Sequence, residues 1–363
     1  MDASSSFKAT LDTPALLLDL DILEANIAHI AQICRAHGVA WRPHFKGHKT
    51  LEIARKQLAA GAIGITCAKL GEAEILAAGG IRDIMIANQI VGDLKIRRLM
   101  ALLDTADVIV AVDSADNVLA LSQATRQNGK TLRVVIEVDT GMNRAGVAPG
   151  EAVLALADLI AQQPGLHLAG VMGWEAHATA IADPAEKEKA VAQAIGLLTD
   201  SAYRCRQAGH DIAIVSCGGT GTLLYCVQQA GITEVQVGGG VMNDEHYRWH
   251  YNIDMPFALT ILATVTSRPT PTRVIADAGR KTMSIDAAPP RPLHVPGVRQ
   301  VRLSAEHTQL ELEAPSDWPR VGDKIEFVPG YTDTTVHLHE EIVAVRGGRI
   351  EAIWKVAGRG KIK

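Results

Sequence analysis

No apolar stretch in this 363-residue chain reaches the roughly 18 residues that a membrane-spanning helix needs. The opening residues, Met1-Asp2-Ala3-Ser4-Ser5-Ser6-Phe7-Lys8, lack the apolar core of a signal peptide. Both absences lead to the expectation of a cytoplasmic protein with no membrane partner. Lysines and arginines are dispersed among acidic residues and the formal net charge is -4. No basic stripe for a phosphate backbone results, so nucleic acid is excluded as a partner. The five cysteines, Cys34, Cys67, Cys205, Cys217 and Cys226, are odd in number, form no CxxC pair and lie within apolar runs. That pattern predicts buried thiols instead of disulfides, a zinc knuckle or a catalytic cysteine. Internal repeats and low-complexity tracts are absent as well.

What is present is enough apolar material, 47% of the residues, to bury the core of one large domain or two medium ones. From about residue 20 to 240, strand-like and helix-like segments alternate. The segment 20–37 puts Leu23, Ile27, Ile30 and Cys34 on one helical face and stops at Gly38. Eight strand-like runs follow, at 39–42, 62–67, 83–87, 107–112, 132–138, 166–172, 212–216 and 233–237. Helical patterns at 69–79, 92–103, 115–128, 150–163 and 185–208 separate them. The runs 107–112 and 132–138 are continuously apolar, as strands buried on both faces are. This order predicts an α/β fold, a (β/α)8 TIM-type barrel.

Past residue 255 the texture changes. Helical periodicity stops, Pro and Thr cluster at 267–272 and 288–292, and short β-patterned runs appear at 258–266, 273–276, 299–303, 308–312, 324–328 and 341–354. An antiparallel β domain is expected there. The run Ala15-Leu16-Leu17-Leu18-Asp19 has no barrel helix before it and is assigned to the same domain. The expected division is a barrel over 20–250 and a β-rich domain made of 1–19 plus 251–363.

The first strand-like run leads into Arg42-Pro43-His44-Phe45-Lys46-Gly47-His48-Lys49, where two histidines and two lysines crowd one turn. Mutual repulsion of cations favours the neutral, nucleophilic amine that a Schiff-base lysine requires. The competing reading is a solvated basic turn ahead of the next helix. Glycine-rich turns follow the seventh and eighth strands, Ser216-Cys217-Gly218-Gly219-Thr220-Gly221-Thr222 and Gly238-Gly239-Gly240. In such barrels these two loops commonly hold a phosphate, and glycine lets backbone N–H groups approach an anion. A phosphate site there, opposite a lysine at the tip of the first strand, describes a site for pyridoxal phosphate.

Those segments, with Glu137-Val138-Asp139-Thr140-Gly141-Met142-Asn143-Arg144-Ala145-Gly146-Val147 after the fifth strand, resemble the alanine racemase fold of pyridoxal phosphate enzymes. More narrowly the chain resembles the D-threonine aldolase and D-serine dehydratase branch. The resemblance extends through Asp12-Thr13-Pro14-Ala15, Gly71-Glu72-Ala73-Glu74, Asp277-Ala278-Gly279-Arg280-Lys281 and Glu306-His307. It implies pyridoxal 5'-phosphate carried on Lys46, with His44, Arg144, Trp174, Ser216, Gly219, Thr220, Gly238 and Gly239 around the cofactor. For Arg144 a rim ion pair with Glu137 or Asp139 is the alternative. In Trp174-Glu175-Ala176-His177, where the family tends to have Tyr-Glu-Gly-His, His177 is a candidate catalytic residue. The resemblance further implies a homodimer with shared active sites and a small amino-acid substrate.

The family also binds a divalent metal, manganese or magnesium, through a His-x-Asp or His-x-Cys pair in its second domain. The matching stretch is Pro329-Gly330-Tyr331-Thr332-Asp333-Thr334-Thr335-Val336-His337-Leu338-His339. Asp333 matches the second ligand, but Tyr331 stands where the histidine should be, and a phenol must lose a proton with a pKa of about 10 before it binds a metal well. His337 or His339 could compensate if the stretch is a strand that turns them to one face. Asp333, where the dehydratases usually have cysteine, favours a carbon–carbon lyase that gives glycine and an aldehyde. The alternatives are a D-serine or D-hydroxyaspartate dehydratase, a racemase using Lys46 and Tyr331, or a non-catalytic cofactor carrier, against which the second domain speaks.

Overall fold

The computed structural model describes residues 6–363, so the first five residues of the segment assigned to the β domain lie outside the described residues. The chain forms two compact units. One comprises 28–46, 53–238 and 360–363; the other takes the described residues up to 27 together with 47–52 and 239–359. The expected break at 250 thus sits eleven residues or so beyond the change of unit at Gly238 and Gly239, and 47–52 joins the β-rich unit.

The barrel unit has eight parallel strands: β2 (Ala40–Trp41), β3 (Ile65–Cys67), β4 (Asp83–Gln89), β5 (Asp107–Val112), β6 (Leu132–Glu137), β7 (Leu166–Met172), β8 (Ile214–Cys217) and β9 (Glu234–Val235). Strand β1, Ala15–Asp19, belongs to the other sheet, as its lack of a preceding helix predicts. Neighbours run in chain order from β3 to β9, and β9 pairs with β2. The ring closes through a parallel bridge from His44 to Thr66, with Phe45 N–H on the Thr66 carbonyl at 2.7 Å and Thr66 N–H on the Pro43 carbonyl at 2.9 Å. Met85, Ile109, Ala111, Val135, Ala169 and Met172 pack together in the interior, each nearly or fully buried. Every large aliphatic side chain buried in this way stabilises the fold by about 1.5–3 kcal/mol.

Each predicted strand is present, the weaker ones shorter than their apolar runs. The helix expected at 20–37 spans Leu20–Ala36, with Leu23, Ile27, Ile30 and Cys34 all buried. The helix that follows the basic turn, to which the sequence reading gave no bounds, spans Leu51–Ala59. Its lysine, arginine and glutamine residues mask the apolar face formed by Ile53 and Ala54.

Arg42 corrects the picture of one solvated basic turn. It is 3% exposed; its Nε meets both Glu234 carboxylate oxygens at 3.1 Å, and its Nη1 pairs with Asp83. Asp83 also accepts from Arg133 Nη2 at 3.3 Å, and Arg133 Nε donates to Asp107 at 2.8 Å. Asp83, Asp107 and Glu234 each open a strand, so this ionic belt lies at the strands' N-terminal ends and leaves their C-terminal tips for chemistry.

The second unit carries a nine-stranded sheet with β10 (Leu259–Thr270), β11 (Arg273–Ala276), β12 (Arg291–Leu293), β13 (Val298–Leu303), β14 (Thr308–Leu312), β15 (Lys324–Val328), β16 (Glu341–Arg346) and β17 (Arg349–Lys355). Its spine runs β13-β14-β11-β10-β1-β16-β17, and β15 joins β10 to β12. The sheet is antiparallel except for β1 against β16, a parallel pairing the sequence reading did not foresee. Leu17, Leu262, Val343 and Val345 form a core around that seam. Strand β12 was missed because Pro292 argues against a strand; it pairs on one side only, with β15, and a proline is tolerated at such an edge.

Candidate active site

The barrel unit brings most of the expected cofactor residues together. Lys46 follows the closing bridge at His44, whose Nδ1 accepts the Lys46 backbone N–H at 3.2 Å. The Lys46 ammonium lies 4.7 Å from the centre of the Trp174 ring, and the Arg144 guanidinium 5.4 Å from it. Trp174 follows β7. Its indole Nε1 is buried with no hydrogen-bond partner among the described residues, and it sits 2.9 Å from where a Cβ on Gly219 would stand. An unpartnered buried donor beside a glycine loop is what an absent anion leaves behind. On the other glycine turn, a Cβ at Gly238 would collide with the His44 backbone, so only glycine lets that turn close on the lysine-bearing segment. Ser216 is buried and its Oγ accepts from Gln236 Nε2 at 2.9 Å. Thr220 is half-buried in the same turn as Gly219.

Arg144 also makes the rim contact that the sequence left as an alternative, 3.6 Å from Glu137. Glu137 is buried, which pushes its carboxyl upward, while Gln89 and Arg144 pull against that shift. His177 is exposed on the turn Ala176–Ala178, and its ring lies against Gly141. There the Asp139 carboxylate accepts the N–H groups of Gly141 and Asn143, both at 3.0 Å. Burial raises the Asp139 carboxyl, but those backbone bonds and the nearby His177 outweigh it and hold it below the usual range.

Glu175 is a buried residue that sequence reasoning did not single out, although it stands inside the Trp174–His177 segment. It is fully buried. One carboxylate oxygen accepts from Thr222 Oγ1 and, at 3.3 Å, from Cys226 Sγ; the other accepts the Gly218 N–H at 3.4 Å. One carboxylate therefore ties both ends of the turn 218–222. Glu175, Cys217 and Cys226 are the one set of three potential metal-ligating residues that gathers among the described residues. The hydrogen bond between the two thiols lowers Cys217 and raises Cys226, but burial beside Glu175 leaves both above their ordinary range, so they act there as protonated thiols and not as thiolate ligands. Glu175→Gln is expected to weaken cofactor binding by about 10–100-fold, the usual effect of losing a group that positions ligands, at unchanged far-ultraviolet circular dichroism. A fluorescence titration with pyridoxal 5'-phosphate measures it; an unchanged affinity would refute the clamp.

In the β-rich unit the stretch around Asp333 departs from expectation. Residues 331–339 are not a strand: Thr332–Thr335 is a helical turn and Val336–Leu338 a 3-10 turn, so period-two reasoning fails. His337 is exposed and His339 half-buried, with His339 Nε2 at 2.9 Å from the Thr282 carbonyl, so the two are not turned to one face with Asp333. Tyr331 and Tyr247 flank Asp333 instead. The Tyr247 hydroxyl lies 3.3 Å from Asp333 Oδ1, and the Tyr331 ring meets the Tyr247 ring edge-on at 5.8 Å. Burial first, then Asp333, pushes both phenols far above their usual range. Asp244 holds the arrangement: one oxygen caps the helix Glu245–His250 at the Tyr247 N–H, 2.7 Å, and the other takes the Thr332 N–H and hydroxyl at 2.7 and 2.8 Å. Burial raises the Asp244 carboxyl to about 7 against those bonds. Asp three residues before Tyr247 is an N-cap signature that could have located this helix from sequence.

Profile comparison matches the alanine racemase N-terminal domain over residues 18–245 and a serine dehydratase domain over 258–345. The chain is 37% identical to a D-threonine aldolase of Arthrobacter sp, covering 97% of this chain and 94% of that one. The crystal structure of D-threonine aldolase from Filomicrobium marinum superposes with a TM-score of 0.94 at 34% identity, over 98% of both chains. D-threo-3-hydroxyaspartate dehydratase from Delftia sp. HT23 superposes at 0.88 with 29% identity, over 96% of this chain and 98% of that one. With the lysine, the two glycine turns and both sheets in family order, the chain belongs to the D-threonine aldolase and serine dehydratase family on the alanine racemase fold.

Proposed function

We propose that this protein is a pyridoxal 5'-phosphate-dependent lyase of D-β-hydroxy-α-amino acids that cleaves the Cα–Cβ bond to give glycine and an aldehyde. The observation that carries the reading is the unpartnered Trp174 indole N–H beside Gly219, with the Lys46 ammonium over the same ring. When bound, the cofactor supplies an electron sink for the bond broken at Cα. Lys46 would hold it covalently through Nζ. The turns at Ser216–Thr222 and Gly238–Gly239 would hold its phosphate, with Glu175 keeping the first turn in shape. Trp174 would pack against the ring, and Arg144, half exposed beside Glu137, is free to swing to a cofactor oxygen or to the substrate carboxylate. His177, exposed and set against Gly141, would carry a proton to or from solvent.

Aldolase chemistry is favoured over dehydration by Asp333 and by the similarity to D-threonine aldolases over nearly the full chain. Incubation with a panel of D-β-hydroxy amino acids tests this. Glycine plus aldehyde is expected; pyruvate or another oxo acid plus ammonia would assign a dehydratase, and D/L interconversion a racemase. A cytoplasmic homodimer belongs to the same reading: an open barrel mouth admits water to reactive species, and a partner's sheet domain could close it. A monomer with full activity at high dilution would contradict the dimer.

A further inference from the structure

The Asp333 carboxylate is already occupied by protein groups. The Tyr247 hydroxyl donates to Oδ1 at 3.3 Å, the Tyr331 ring meets the Tyr247 ring edge-on with centroids 5.8 Å apart, and a Cβ on Gly47 would stand 2.7 Å from Oδ1. The Tyr247 hydroxyl and the Gly47 backbone thus crowd Oδ1. Manganese and magnesium need oxygen lone pairs aimed at the ion, and a hydroxyl pointing its proton at the carboxylate competes for those lone pairs. His246 meets Tyr331 edge-on with ring centroids 5.0 Å apart and stacks on His250 at 4.7 Å. It does not complete a set of three ligand atoms with Asp333 among the described residues. His339 is engaged with the Thr282 carbonyl. The residues at the position where the family binds its cation do not fit one.

We propose that this chain, with the Tyr331 phenol where the family has an imidazole and the Tyr247 hydroxyl on Asp333, no longer holds the divalent cation of the resembled family, so that its activity is independent of divalent metal. This rests on the lyase reading above, but its decisive measurement does not use activity.

Metal content of the purified protein after dialysis against EDTA, and calorimetric titration with Mn2+, are compared for the natural protein and for Tyr331→His. The expected result is no stoichiometric metal and no measurable Mn2+ binding in the natural protein. Tyr331→His, which restores an imidazole two residues before Asp333, should bind Mn2+ at least about 10-fold more tightly, since losing even outer-shell support costs 10–100-fold. Turnover of the natural protein should stay within about twofold in EDTA. One tightly held cation per chain, reversible loss of activity in chelator, or a Tyr331→His protein that binds Mn2+ no better would each overturn the proposal. Should Tyr331→His fail to fold, the metal content of the natural protein still decides the matter. If no D-β-hydroxy amino acid is cleaved with or without metal, the lyase reading fails while the titration stands.

Discussion

Lys46→Ala is expected to fold normally and to lose turnover by a factor on the order of 10^4 to 10^6, the scale seen when the nucleophile of a catalytic unit is removed. The neighbouring groups explain why the loss should be so complete. Lys46 is held at the barrel's closing bridge, its backbone fixed by His44 and its ammonium over Trp174, whereas Lys49 belongs to the other compact unit. With Lys46 gone, the cation left over that ring among the described residues is the Arg144 guanidinium, which is no nucleophile. Glycine formation and the visible absorbance of protein-bound cofactor measure the effect. Borohydride reduction should label Lys46; labelling of Lys49 or Lys69 would show that the site has been mapped wrongly.

Arg42→Ala should be the most damaging substitution for stability, at about 3–5 kcal/mol, because it strands a buried carboxylate. Glu234 is 2% exposed and loses both Nε contacts at once, and Asp83 loses its Nη1 partner. Asp83 is about one-third exposed and keeps Arg133, so most of the penalty falls on Glu234. Arg42→Ala together with Glu234→Gln should recover part of the loss, since the stranded charge is then gone. The midpoint of denaturant unfolding reads both variants. A loss below about 1 kcal/mol for the single variant would place the pair in the class of screened surface bridges.

The barrel was legible because its strands are buried on both faces and so read as unbroken apolar runs: Asp107–Val112 and Leu132–Glu137 appear nearly where the sequence puts them. Lys46 and the two glycine turns were legible because a lysine at a strand tip and repeated glycine violate the local pattern. What escaped notice depends on partners distant in sequence. Glu175 acquires its meaning from Thr222 and Cys226, Arg42 from Glu234, and Asp244 from Thr332. The stretch after Tyr331 misled for a different reason. Thr334, Thr335 and Val336 carry strand propensity, yet Asp244 captures the Thr332 N–H and starts a helical turn there. Tertiary bonding overrode the local preference.

The ring of eight strands is held least firmly where it closes. Strand β2 has two residues, and its link to β3 is a single bridge with a few flanking backbone bonds, while β4 through β7 are joined by ladders of several residues each. The joint is therefore expected to be among the first parts of the ring to open, since few bonds oppose the loop entropy on either side of it; hydrogen exchange at Phe45 and Thr66 would measure this. Lys46 stands at that joint. A cofactor held as proposed, on Lys46 and by the turns after β8 and β9, would span it like a rivet, and mass action would then shift the opening equilibrium toward the closed ring. Loss of the cofactor and unzipping of the barrel become two descriptions of one event, and the loaded protein should outlast the empty one against proteases that cut only what opens.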